Sequence, residues 1–150
     1  MELFEVRERT PVLIEQLTAV WESSVRATHL FLPEEEILVI KAYVPQALAE
    51  VPRLVVLAGS GHVPAAFMGV AGERLEMLFV AAPKRGQGLG GRLLRYGVEV
   101  CGVRELTVNE QNPQARSFYE HMGFRSFRRT DRDEQGRPYP LLYMRLNGSN

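Results

Sequence analysis

The sequence predicts a single α/β domain over residues 1–150, a mixed central sheet of about seven strands with about four helices on its two faces. Three observations predict it. Short runs of branched and aromatic residues alternate with longer stretches whose apolar residues recur at helical spacing. Two tight, glycine-marked turns join three successive strand-like runs between Arg53 and Val80. Between Leu75 and Asn109 the chain reads strand, glycine-rich turn, helix, strand, the unit that builds parallel pairs. The resulting order is β-α-α-β-β-β-α-β-α-β-β.

Glu2 to Arg9 alternates roughly apolar and polar and forms a first strand. Thr10-Pro11 starts a helix, a capping hydroxyl followed by proline at the first helical position. Leu13, Leu17, Val20, Trp21, Ser24 and Thr28 then share one helical face. Pro33 with Glu34, Glu35 and Glu36 opens a second helix, the acids lying at its positive end. That helix is expected to bend or break at Pro45, where proline removes a hydrogen bond. Arg53–Ala58 is a strand, Gly59-Ser60-Gly61 a turn, and Val63–Gly72 its hairpin partner. Leu75–Val80 follows as a strand stopped at Pro83, since proline cannot donate to a ladder. Leu89, Leu93, Leu94, Val98 and Cys101 mark the next helix, and Arg104–Asn109 the strand after it. A helix capped by Asn112 runs to Gly123, a left-handed stop. Phe124–Arg132 and Tyr139–Leu146 are the last strands, with a turn at Asp133–Gly136.

Composition excludes several function classes. Eighteen basic and eighteen acidic residues balance to zero, so bulk charge favours neither nucleic acid nor an anionic membrane. There is no membrane-length apolar run and no signal-peptide pattern. The one cysteine cannot form an internal disulfide, and three scattered histidines give no metal-ligand spacing. A cytoplasmic location fits these features.

The segment Leu75–Leu94 carries the chemistry. Four glycines fall within the six residues 86–91, immediately before a helix. A helix start presents unpaired N–H groups and a positive dipole end, and glycines let an anion approach the backbone closely. This is a phosphate site. A nucleoside-triphosphate loop is excluded, because Arg92 follows the glycines where Lys-Ser/Thr is required. Gly86, Gly88 and Gly91 spell the dinucleotide string G-x-G-x-x-G, with Glu110 about 20 residues on. The short tail after Glu110, however, cannot supply the remaining strands of a dinucleotide fold.

Arg85-x-x-Gly88-x-Gly90 resembles the R/Q-x-x-G-x-G/A signature of the GNAT superfamily of N-acetyltransferases. Asn112 to Phe124 resembles the family's second motif, N-x-x-A-x-x-F-Y-x-x-x-G-F, and stands at the expected distance. Trp21, Ser24-Val25, Ala27-Thr28-His29, Phe31-Leu32 and Pro138–Leu142 extend the likeness to the small bacterial YjaB-type branch. The element order also matches the GNAT fold. The resemblance implies acetyl-CoA as cofactor, held at Leu78, Phe79, Val80, Arg85, Gly86, Gln87, Gly88, Leu89, Gly90, Asn112 and Ala115. It implies direct attack by a primary amine, whether a small molecule or a peptide or protein amine. Many relatives are homodimers.

Acetyl transfer to an amine makes three demands. The amine must lose a proton, because an alkylammonium with a pKa of about 10.4 is no nucleophile. The tetrahedral oxyanion needs donors. The departing thiolate benefits from a proton. Tyr119 is the candidate acid, the role its motif position often has in the family; the bland reading makes it one apolar-face residue with Ala115, Phe118 and Met122. Glu76 is the candidate base, directly or through water, provided burial raises its pKa. Its other reading is an outward-facing glutamate paired with Arg74 or Arg104. The family supplies an oxyanion donor from the Leu78–Val80 backbone, on a strand that splays from its neighbour. Trp21, His29, Phe31 and Tyr139 resemble acceptor-site positions, His29 partly because histidine titrates near working pH; Asn109 is a weaker candidate at its strand end. Cys101, on an apolar helix face with no histidine placed beside it, reads as a buried inert thiol.

Two rivals share the turn: a non-catalytic CoA-binding module and a nicotinamide-dinucleotide binder. Thermal unfolding separates the cofactors. Acetyl-CoA at 100 times its dissociation constant should add about 2.7 kcal/mol, a rise in Tm of roughly 5–10 °C for a chain of this size. NAD should add nothing; a shift with NAD alone would reverse the assignment.

Overall fold

A computed structural model describes residues 1–148. The strands are β1 (Glu2–Glu5), β2 (Arg53–Ala58), β3 (Pro64–Ala71), β4 (Arg74–Val80), β5 (Glu105–Asn109), β6 (Phe124–Thr130) and β7 (Leu141–Leu146). The helices are α1 (Pro11–Thr28), α2 (Glu34–Glu50), α3 (Leu89–Glu99) and α4 (Pro113–His121). This is the expected order. The seven strands form one sheet in the order β1-β2-β3-β4-β5-β7-β6, and β4–β5 is its parallel pair.

Two cores lie on opposite faces of this sheet. One gathers Leu89, Leu93 and Leu94 of α3 and Tyr119 of α4 against Val55, Met68, Leu106 and Met144. The other gathers Leu17, Trp21 and Val25 of α1 and Ile37, Val44 and Leu48 of α2 against Leu54, Val56 and Phe67. Alternation along β2 divides Val55 and Leu57 from Leu54 and Val56, as a strand covered on both faces requires.

β4 breaks the alternation. Gly69 pairs with Met77, but Val70 pairs with Leu75, so Glu76 is an extra residue bulged out of the β3–β4 ladder. The bulge reverses the phase of the strand. Leu75 packs with the α3/α4 core, and beyond the bulge Leu78 and Val80 do so, while Met77 and Phe79 join the α1/α2 core. β4 then leaves β5. The two strands pair only at Arg74–Glu105 and Leu75–Leu106, after which β4 stays with β3 and β5 with β7. The expected splay is present, and it starts at the bulge.

Several boundaries differ from expectation, β6 among them, which ends at Thr130 instead of Arg132. β1 ends at Glu5 instead of Arg9, since its partner begins at Arg53 and only the Val6 N–H reaches further, to Leu54 O at 2.8 Å. α2 does not break at Pro45. That residue is exposed, so water can take the carbonyl left unpaired one turn back, while Val44 and Leu48 hold the inner face. α3 stops at Glu99, short of Cys101. β7 starts at Leu141, because Pro138 and Pro140 cannot donate to the ladder.

Gly97 lets α3 lie close to the sheet: a Cβ there would stand 2.9 Å from Met68 Sδ and 3.3 Å from Val103 Cγ2, both on fully buried residues. Gly97→Val should therefore destabilise the protein by about 1–3 kcal/mol through overpacking, read from its urea midpoint. An unchanged midpoint would mean α3 is not seated this tightly.

Candidate active site

Where β4 and β5 part, a cavity of about 540 Å³ opens between them, within the usual range for small-molecule sites. Its walls come from Leu75–Val80 of β4, Thr107–Asn109 of β5, the start of α3, the α4 residues Ala115, Phe118 and Tyr119, and the end of α1. It thus joins the two faces of the sheet. On the β5 side, Met77 to Val80 have no strand partner, so backbone polar groups there are available to a ligand.

At one end lies the glycine turn. Gly86 and Gly88 take φ of +79° and +77°, a conformation open to glycine and strained for other residues. No side chain caps α3. The first of its amides to find a partner is Arg92, donating to Gly88 O at 3.0 Å, so Leu89, Gly90 and Gly91 turn free N–H groups outward. Lys84 and Arg85 stand at the same rim. The Arg85 guanidinium donates to Gln114 Oε1 at 3.0 Å, tying the turn to α4. The combination suits phosphate.

α4 forms the floor. Asn112 Oδ1 accepts from Ala115 N at 3.2 Å, as a helix cap, and the residue is buried at the cavity wall. Tyr119 is 9% exposed, between Phe118 and Phe124 at ring distances of 5.2 and 6.2 Å. Burial raises its phenol pKa above the ordinary value, so the hydroxyl keeps its proton at neutral pH. That hydroxyl has no hydrogen-bond partner among the described residues and is not sealed from solvent, and Tyr119 lines the cavity.

The other end is built by the α1–α2 turn. Arg26 pairs with Glu34 across it, and Arg137 Nη1 meets Glu36 Oε2 at 3.1 Å, bringing in the β6–β7 loop. Ser23 Oγ accepts from Ala82 N at 2.9 Å, fixing α1 to the end of β4. His29, Phe31 and Tyr139 form a row with ring distances of 5.4 and 5.9 Å.

Most of the predicted residues meet at this one cavity, and six expectations need correction. Trp21 is 5% exposed in the α1/α2 core and does not line the cavity, because it belongs to the packing stripe of α1. The Gln87 side chain also lies off the wall, exposed on the turn, so only its backbone amide is left to meet a cofactor. Glu76 lines the cavity but is not buried: its side chain is 39% exposed, with Arg74 Nε 3.8 Å away. The bulge carries it out of the apolar alternation of its strand. His29 does not titrate near working pH, because burial pushes its pKa down to about 4. Phe31 and Tyr139 reach the site only through the aromatic row. Cys101 is buried away from the cavity, and burial raises its thiol pKa. Residue-type reasoning missed Thr28, Lys84, Thr107 and Gln114 as wall residues. Lys84 and Gln114 had a signal, since the first precedes one motif and the second lies within the other.

The model of the acetyltransferase (GNAT) domain matches residues 39–145. The peptidyl-lysine N-acetyltransferase YjaB of Salmonella typhimurium is 38% identical over 128 residues, 85% of this chain and 88% of that protein. The protein of the same name from Escherichia coli K12 is 36% identical over 135 residues, 90% of this chain and 91% of that one. The solution structure of apo YjaB from Escherichia coli superposes with a TM-score of 0.87, covering 99% of this chain and 100% of that one. An aminoglycoside 6'-N-acetyltransferase solved with coenzyme A shares the fold, at a TM-score of 0.65 and 17% identity, over 96% of this chain and 95% of that one. The two motifs, the splayed strands and these relatives lead to one conclusion: the chain belongs to the GNAT family of N-acetyltransferases, in its YjaB-type branch.

Proposed function

We propose that this protein transfers the acetyl group of acetyl-CoA directly to the ε-amine of a lysine in a peptide or protein, in the cytoplasm. The observation that carries the cofactor half is the parting of β4 from β5 in front of the uncapped start of α3. The pyrophosphate would rest on the amides of Arg85 to Gly90. The pantetheine arm would follow the unpaired edge of Leu78, Phe79 and Val80, beside Asn112 and Ala115. The acceptor class rests on the YjaB relatives.

In this reading the acceptor enters on the α1/α2 face, past His29 and Asn109. Its ammonium gives a proton through water to Glu76, whose place at the cavity wall, and not burial, supports this role. The free amine attacks the thioester carbon, and a β4 backbone N–H receives the oxyanion. The C–S bond breaks, the leaving sulfur takes the Tyr119 proton, and the phenolate recovers one from the new amide nitrogen. Burial holds the phenol protonated, so Tyr119 has a proton to give when the thiolate leaves.

Tyr119→Phe tests the acid. Turnover should fall about a hundredfold or more, with acetyl-CoA affinity unchanged, as measured by steady-state kinetics and calorimetry. Unchanged turnover would remove Tyr119 from the mechanism.

A further inference from the structure

The mechanism above uses no property of Thr28, yet Thr28 is bonded at both ends. Its hydroxyl lies 2.8 Å from Ser24 O and 2.8 Å from His29 Nδ1. A carbonyl oxygen only accepts, so the single hydroxyl proton goes to Ser24 O. The hydroxyl oxygen must then accept from His29, which puts the ring proton on Nδ1. In the neutral ring Nε2 is left with a lone pair. Among the described residues nothing bonds to Nε2, and it is not sealed from solvent, while the ring lines the cavity. α1 belongs to the core opposite α3 and α4. His29, the C-cap of α1, therefore stands at the α1 end of the cavity that the phosphate turn and Tyr119 also line.

From this geometry we infer that Thr28 is a positioning residue that fixes His29 as the Nδ1–H tautomer, and that His29 Nε2 accepts a hydrogen bond from the N–H of the incoming amine. His29 orients the nucleophile and is not its base. Other titratable residues on the cavity wall are Glu76, Lys84, Arg85 and Tyr119. Tyr139 ends the aromatic row, the Glu36–Arg137 pair ties the β6–β7 loop to α2, and Arg26 with Glu34 braces the same turn. None of these charges offsets the effect of burial on the ring. His29 thus stays neutral across the working pH range and does not repel a cationic acceptor.

This inference rests on the transferase reading, and two measurements keep their failures apart. In the first, long-range proton–nitrogen spectra of the full-length, nitrogen-15-labelled protein report the His29 ring. At pH 7 Nδ1 should carry the proton, with titration below pH 5; Thr28→Val should give a tautomer mixture and Thr28→Ser should restore the single form. A protonated Nε2 at pH 7, or a midpoint near 6.5, would overturn the inference whatever the activity. The second measurement is the KM for a lysine-containing peptide. His29→Ala should raise it roughly threefold to tenfold, the worth of one hydrogen bond, with KM for acetyl-CoA unchanged, and His29→Gln, which keeps an acceptor near the Nε2 position, should recover much of the loss. Normal transfer with an unchanged peptide KM in His29→Ala would overturn the amine contact alone. No transfer by the wild-type protein to the peptide would overturn the lysine reading and the amine contact with it, leaving the tautomer result standing.

Discussion

The site depends on one interruption of hydrogen bonding. Strand pairing saturates backbone donors and acceptors, and a saturated sheet has nothing to offer a ligand. Here β4 carries one residue too many at Glu76. The extra residue turns the strand and reverses its faces, and from that residue on β4 no longer pairs with β5. The interruption does three things together. It frees an edge of backbone, opens a passage between the faces of the sheet, and brings a carboxylate to the wall of that passage.

The rest of the molecule keeps the interruption open without filling it. On one face α3 is held by Leu93 and Leu94, both fully buried, so its uncapped start stays aimed at the gap. On the other, α1 is tied to the end of β4 through Ser23 and Ala82, and to α2 through Arg26 and Glu34. The exposed ion pairs contribute little energy individually; their use is to fix the turn that carries His29. Tyr119 is anchored in the α3/α4 core and reaches the passage from below. A cofactor approaching from the α3 side and an acceptor from the α1 side would meet over it.

The sequence made much of this legible, and what it hid follows a pattern. Helix and strand types came from apolar periodicity and caps, and Thr10, Asn112 and Gly123 marked their ends as read. The glycine turn before α3 was legible because it demands glycine at left-handed positions, and only composition can meet that demand. Tyr119 was legible because its motif is local. What depends on pairing between distant segments was not readable. A bulge is a relation between Glu76 and Gly69, so the face of Glu76 could not be read from its own strand. Trp21 and the C-cap His29 stand about two turns apart at the same end of α1, and only packing sends the first into the core and leaves the second at the cavity. The same burial removes the near-neutral titration that made histidine attractive by type. Thr28 read as one more residue on a helical face, since its importance lies in two hydrogen bonds.

The central claim is that the unpaired edge of β4 and the free amides at the start of α3 are the cofactor's seat. Amide hydrogen exchange with and without saturating acetyl-CoA tests it most directly. The account predicts slowed exchange in residues 77–80 and 86–91, with a smaller effect near 112–119 and none in β1 or β6. Bound acetyl-CoA that leaves residues 77–80 exchanging as before, or that protects only segments remote from the gap, would contradict it.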